Sequence, residues 1–188
     1  MLKKILFPLI SCLTIILAII SPVSADAHGK KHIIDLRAES PVGNMSNIIS
    51  LHGSIYMAGQ PDPVTLGLLG DQGFEVVINI RREGEVDFDE RTLVGNNLSY
   101  YNIPLLKDGK IQDAAVEKIH AALSENKGKK ILLHCSSGNR VAAWFGAHLV
   151  RDMGYAPDKA IALAKEAGMT KAGMAKILRG YLDELVKK

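Results

Sequence analysis

Cysteine is almost missing from this chain. Its 188 residues contain two, Cys12 and Cys135, and Cys12 lies in an apolar N-terminal run. A chain processed behind that run keeps Cys135 alone, which excludes an intrachain disulfide framework and marks an unpaired, reactive thiol. Excess charge of one sign is missing too, with 23 Lys and Arg against 20 Asp and Glu. So small a surplus argues against nucleic acid or a membrane surface as partner. His28 and His32 are close together, but nothing near them completes a metal-ligand set. There is no dinucleotide-binding fingerprint, internal repeat or low-complexity tract. The sequence therefore predicts neither a cofactor nor a metal.

The chain opens with Lys3 and Lys4, runs apolar from Ile5 to Ile20, and reaches small residues at Ser24-Ala25-Asp26-Ala27. A basic start, an apolar middle and a small-residue end make a secretory signal peptide over 1–27, cleaved after Ala27 or Ala25. The predicted location is periplasmic or secreted, with no stable membrane insertion after cleavage. Removal of 27 residues leaves 161, with 21 basic and 19 acidic side chains, enough for one domain with a proper core. A flexible N-terminal segment is expected over 28–48 and a single domain over 49–188.

Within that domain, strand-like and helix-like stretches alternate. Residues 54–58, 74–80, 98–103 and 130–133 read as strands. Between them, Pro63 suits the first turn of one helix and Asp113 the cap of another. The charged stretch from Arg81 to Arg91 reads as a solvated helix. Helices are expected over 141–150, from Pro157 to a stop at Gly168, and through Met174, Ile177, Leu178, Tyr181, Leu182 and Leu185. Such alternation predicts an α/β fold, a mostly parallel central sheet flanked by helices. Ligands of these folds gather at the carboxyl ends of the strands. Arg81, Asp108 and Cys135 each follow a strand closely, so they converge on one crevice.

His134-Cys135-Ser136-Ser137-Gly138-Asn139-Arg140 is the centre of that crevice. A strand running through a tight loop into a helix N-terminus builds an anion site from loop N–H groups and the helix dipole. Cysteine reacts as its thiolate, and helix N-termini and nearby cations favour that form. Arg140 offers a planar fork that grips two oxygens of a tetrahedral oxyanion. Gly138 lets the backbone turn with φ > 0. His134 either tunes the thiol or is held by backbone hydrogen bonds. His120 and His148 pack or face solvent, and Trp144 and Phe145 are core.

These motifs resemble the cysteine-dependent protein tyrosine phosphatase superfamily. More closely, the chain is similar to the bacterial dual-specificity-phosphatase-like family called beta-lactamase-hydrolase-like, whose domain is also found fused to NAD kinase. The resemblance spans roughly residues 50–170. It rests on Ala58-Gly59-Gln60-Pro61, Val77-Ile78-Asn79-Ile80-Arg81 with its acidic run, Tyr101-Asn102-Ile103-Pro104, the Cys135 loop, and Ala160 to Gly168. It implies a cysteine-phosphatase-like fold and an exported phosphatase that hydrolyses a phosphomonoester, on a phosphoprotein or a small phosphoester, through a cysteinyl-phosphate intermediate. By the same resemblance Cys135 is the nucleophile, Arg140 the phosphate clamp, and Ser136, Ser137, Gly138 and Asn139 the cradle. Arg81 either assists substrate binding or pairs with Glu83 or Glu85. Asp108 is the expected general acid, with Asp113 as its rival. Two features depart from the pattern. Four residues separate Cys135 from Arg140, one fewer than usual in phosphatases and typical of rhodaneses, where the cysteine carries a persulfide. Val141 stands where phosphatases usually place Ser or Thr to release the thiolate, which predicts slow turnover. A rhodanese-like sulfurtransferase and a non-catalytic phosphate-binding module therefore stay open as alternatives.

Overall fold

The computed structural model describes residues 33–95 and 97–187. The predicted signal peptide, His28 and His32 lie outside the described residues. Eight strands and six helices follow one another. They are β1 (Leu36–Ala38), β2 (Ile49–Leu51), β3 (Ile55–Ala58), α1 (Pro63–Leu68), β4 (Val76–Asn79), α2 (Glu90–Val94) and β5 (Ser99–Asn102), then β6 (Leu106–Lys107), β7 (Lys110–Ile111), α3 (Asp113–Glu125), β8 (Ile131–His134), α4 (Asn139–Arg151), α5 (Pro157–Glu166) and α6 (Ala172–Leu185). Six strands form one sheet in the order β1-β2-β3-β8-β4-β5, and β6 and β7 form a separate hairpin. From β3 to β5 every pairing is parallel, while β1 and β2 join antiparallel at one edge. The expected α/β architecture is the one observed.

The central strands β4 and β8 are buried at every residue, as befits a parallel sheet covered on both faces. The two-residue period divides their side chains. Val76, Ile78, Ile131 and Leu133 face the larger core with residues of α3, α4, α5 and α6. Val77 and Leu132 face a smaller one with Leu66, Leu69, Phe74 and Val94. Helix α4 is nearly engulfed: Trp144 and Phe145 are fully buried. At Gly146 an added Cβ would lie 2.7 Å from Leu178 Cδ2 and 3.1 Å from Ala164 Cβ. Only glycine lets α4 approach α5 and α6 so closely.

Three sequence expectations need correction. The segment 28–48 is not flexible from Leu36 onward, because β1 pairs with β2 and both Met45 and Ile48 are buried in the smaller core. Residues 81–89 are not a solvated helix; helix begins only at Glu90, with Asp89 capping it through Thr92 N–H. The charges of this stretch find partners at the strand ends, and the backbone follows them. Asp113 does not cap α3. Gln112 is the N-cap, and Asp113 is the first helical residue, accepting a 2.6 Å hydrogen bond from Tyr181 Oη.

Candidate active site

β8 delivers His134 and Cys135 to the carboxyl edge of the sheet, between β3 and β4. The loop then turns back through Gly138, whose φ of 77° lies in the left-handed region, and enters α4 with no side-chain cap. The N–H groups of Ser136, Ser137, Asn139 and Arg140 donate to no protein acceptor among the described residues. A helix N-terminus left uncapped in this way is an anion receptor. On its outer side the loop is braced by the Gln-Pro motif: Gly59 bridges Ser137, and Gln60 N–H donates to Ser136 O at 3.4 Å. Cys135 lies at the floor, fully buried and free of any disulfide.

Two carboxylates, Glu85 from the stretch between β4 and α2 and Glu90 at the start of α2, clamp the residues on either side of this thiol. Glu85 takes Arg140 in a bidentate grip, Nη1 at 2.9 Å and Nη2 at 2.7 Å, while Nη2 also reaches Ser136 Oγ at 3.2 Å. Arg140 holds the Glu85 carboxyl well below the usual carboxylate range, helped by Arg82. Burial works against the charge on Arg140, but Glu85 and the neighbouring Cys135 sulfur outweigh it and raise its pKa. A guanidinium carries five N–H donors; Glu85 and Ser136 take those of Nη1 and Nη2, and the Cys135 sulfur is a hydrogen-bonding neighbour of the same group. An oxyanion approaching the Nε–Nη2 edge meets Ser136 and the Cys135 sulfur rather than Glu85.

Glu90, 3 % exposed, lies 3.4 Å from His134 Nε2. It also accepts from Gln60 Nε2 at 2.5 Å, Asn79 Nδ2 at 2.6 Å and Tyr100 Oη at 3.0 Å. Burial opposes its charge, yet His134, Gln60 and Tyr100 keep its carboxyl below the ordinary value. Burial pushes the Tyr100 phenol up to about 12. The imidazole that precedes the nucleophile is thus seated against a fixed negative charge. Sequence reasoning offered Glu85 only as one of two partners for Arg81, a pairing found here, and missed its grip on Arg140 and the whole role of Glu90, for a charged run does not reveal which of its members turns inward.

The predicted site residues divide into two groups. Ser136, Ser137, Gly138 and Arg140 surround Cys135 as expected. Asn139 is buried, but its side chain turns away: Oδ1 accepts from Thr170 N at 2.9 Å and Lys171 N at 2.8 Å, which staples the α5–α6 connection to α4. Its Nδ2 donates back to Ser137 O at 3.3 Å, so the same side chain braces the loop from behind. Arg81 is also buried. Its guanidinium donates to Gln60 Oε1 and to Glu85 O, and Nε lies 3.4 Å from Glu85 Oε2. It therefore positions Glu85 and Gln60 rather than facing the cradle. Asp108 is exposed at the tip of the β6–β7 hairpin, where φ is 50° for it and 73° for Gly109, the pair of positive φ values that a two-residue turn requires. Val141 is completely buried in the larger core.

No family model matches the chain, and no curated protein matches it. Solved structures do. A DUF442 protein from Shewanella putrefaciens is 21 % identical, covering 79 % of this chain and 89 % of its own, with a TM-score of 0.52. TpbA from P. aeruginosa is 18 % identical over 77 % of this chain and 89 % of its own, TM-score 0.59, and its structure has also been solved with pTyr bound. Kinase-associated phosphatase is 16 % identical over 83 % and 97 %, TM-score 0.60. The chain has the fold of these proteins.

Proposed function

We propose that this protein is a cysteine-dependent phosphatase that hydrolyses a phosphomonoester in two steps. The observation that carries the proposal is Cys135 at the head of a loop whose N–H groups have no protein acceptor among the described residues and whose last member, Arg140, reaches back to Ser136. In the first step the Cys135 thiolate attacks phosphorus. The S–P bond forms as the ester P–O bond breaks, and the leaving oxygen takes a proton from Asp108. In the second step Asp108 accepts a proton from water, which attacks phosphorus and expels the thiolate with inorganic phosphate. Arg140 and the loop amides hold the equatorial oxygens, where negative charge builds. Asp113 is already engaged with Tyr181 and with Arg151 at 3.3 Å, which favours Asp108 as the acid. The pTyr bound by TpbA makes a phosphotyrosine peptide the first substrate to try. The N-terminal signal pattern supports export to the periplasm or beyond, with residues 49–188 as the working domain.

The loop of four residues between Cys135 and Arg140 favours one rival, sulfur transfer through a Cys135 persulfide. A paired assay separates the two. The protein and its Cys135→Ser variant are compared in aryl phosphate hydrolysis and in sulfur transfer from thiosulfate to cyanide. Phosphate release that depends on Cys135 upholds the proposal, and sulfur transfer alone overturns it.

A further inference from the structure

A second cluster sits at the other end of α4 and takes no part in the reaction proposed above. His148 and Asp152, the C-cap of α4, lie one turn apart, with Nδ1 2.7 Å from Oδ2. That short contact puts an imidazole nitrogen and a carboxylate oxygen side by side, and a metal ion that displaces the shared proton would take both as ligands. His120 on α3 lays its ring over that of His148, with centroids 4.9 Å apart and planes at 30°. Trp144 stacks on His148 at 5.3 Å and 5°, fixing the imidazole. Among the described residues, no protein group hydrogen-bonds the His120 ring or His148 Nε2. One ligand atom from each of His120, His148 and Asp152 lies within 4.8 Å of the others.

We propose that His120, His148 and Asp152 bind one divalent transition-metal ion of the zinc class, tying α3 to α4. Two imidazoles and a carboxylate are the borderline-soft donor set that suits such an ion, with a fourth position left for water. Tetrahedral bonds of about 2.0–2.2 Å place ligand atoms roughly 3.3–3.5 Å apart, so Nδ1 and Oδ2 part slightly from 2.7 Å while the exposed His120 ring swings out of its stack to present a nitrogen. His120 and His148 border a hollow of about 300 Å³, also lined by His52 and Lys127, that gives room for this. Burial already disfavours the protonated form of His148, and a cation is welcome at a helix C-terminus. Nearby Arg151 is turned away, to Asp113 and Glu117. Eight residues, about 12 Å of helix rise, separate His148 from Arg140, so the ion touches no reacting atom.

The test uses the full chain carrying Cys135→Ser, so that the thiol takes no metal, titrated calorimetrically with Zn²⁺ and melted with and without it. The expected result is one Zn²⁺ per chain and a raised Tm. His120→Ala, at an exposed position, should weaken binding at least tenfold and abolish the Tm shift, and Asp152→Asn should weaken binding less. With Cys135 restored, His120→Ala should leave phosphatase turnover unchanged. Absence of Zn²⁺ uptake overturns the proposal. So does uptake that persists undiminished in the His120→Ala/His148→Ala variant, which would put the ion on other side chains, such as His28 and His32.

Discussion

The two ends of α4 are opposites built on one helix. Its N-terminus is uncapped, ringed by free N–H groups, and faces Cys135, Arg140 and an inward-turned glutamate. Its C-terminus, thirteen residues on and about 20 Å away, carries two imidazoles and a carboxylate. The dipole favours anions at the first end and cations at the second. The contrast teaches that dipole alone decides little. At the N-terminal end Glu85 already fills one edge of the Arg140 fork, so only the Nε–Nη2 edge is left to an incoming anion. At the C-terminal end His148 and Asp152 share a proton that a bound metal ion would displace.

The comparison can be broken most severely at the N-terminal end. Arg140→Lys keeps the charge but loses the fork, and kcat/KM for an aryl phosphate should fall roughly 10²–10³-fold. Asp108→Asn should cut kcat by about 10²-fold, whereas Asp113→Asn should leave kcat alone and lower Tm, because its partners are Tyr181 and Arg151. A change in the middle of the helix moves both ends together. Gly146→Ala forces a Cβ against Leu178 and Ala164 and should cost about 1–3 kcal/mol in a denaturant melt.

The pH dependences are smaller and separate the two ends. The folded-state pKa of Glu85 is depressed, so its stabilisation is complete above the unfolded value of about 4.3. That stabilisation is lost as pH falls through the folded value, and Glu85→Gln should flatten the acid limb of Tm against pH below about 4.3. His148 also has a depressed pKa, caused first by burial and opposed by Asp152, with His120 and Arg151 adding to the depression. Below about pH 6.5 the unfolded chain binds the proton more readily, so stability falls as pH drops. His148→Gln should make Tm flatter from pH 7 to 5. A slope unchanged by that substitution would show that the C-terminal end does not govern this range.

Much of the N-terminal end was legible in the sequence. Apolar runs of strand length at 76–79 and 131–134, a glycine where φ must be positive, and a cysteine and arginine bracketing it point to one loop at one sheet edge. The rest depends on tertiary partners. Nothing local distinguishes Glu85 and Glu90, which turn inward, from Glu83, which does not share their partners. Asn139 reads as a cradle residue until Thr170 and Lys171 claim its side chain. Leu36–Ala38 is too short and polar-flanked to announce a strand, and its pairing with β2 supplies what its own sequence lacks. His120 and His148 lie on different helices, so no spacing rule joins them.

The central claim is that Cys135 carries the phosphoryl group, and one measurement tests it directly. The protein is mixed with an aryl phosphate, quenched in acid within the first turnover, and its peptides are weighed by mass spectrometry. The account predicts one phosphoryl group on the peptide containing Cys135, none in the Cys135→Ser variant, and a burst of aryl alcohol equal to the protein present. Turnover without that adduct, or an added sulfur atom on Cys135 as the only labile species, would contradict it.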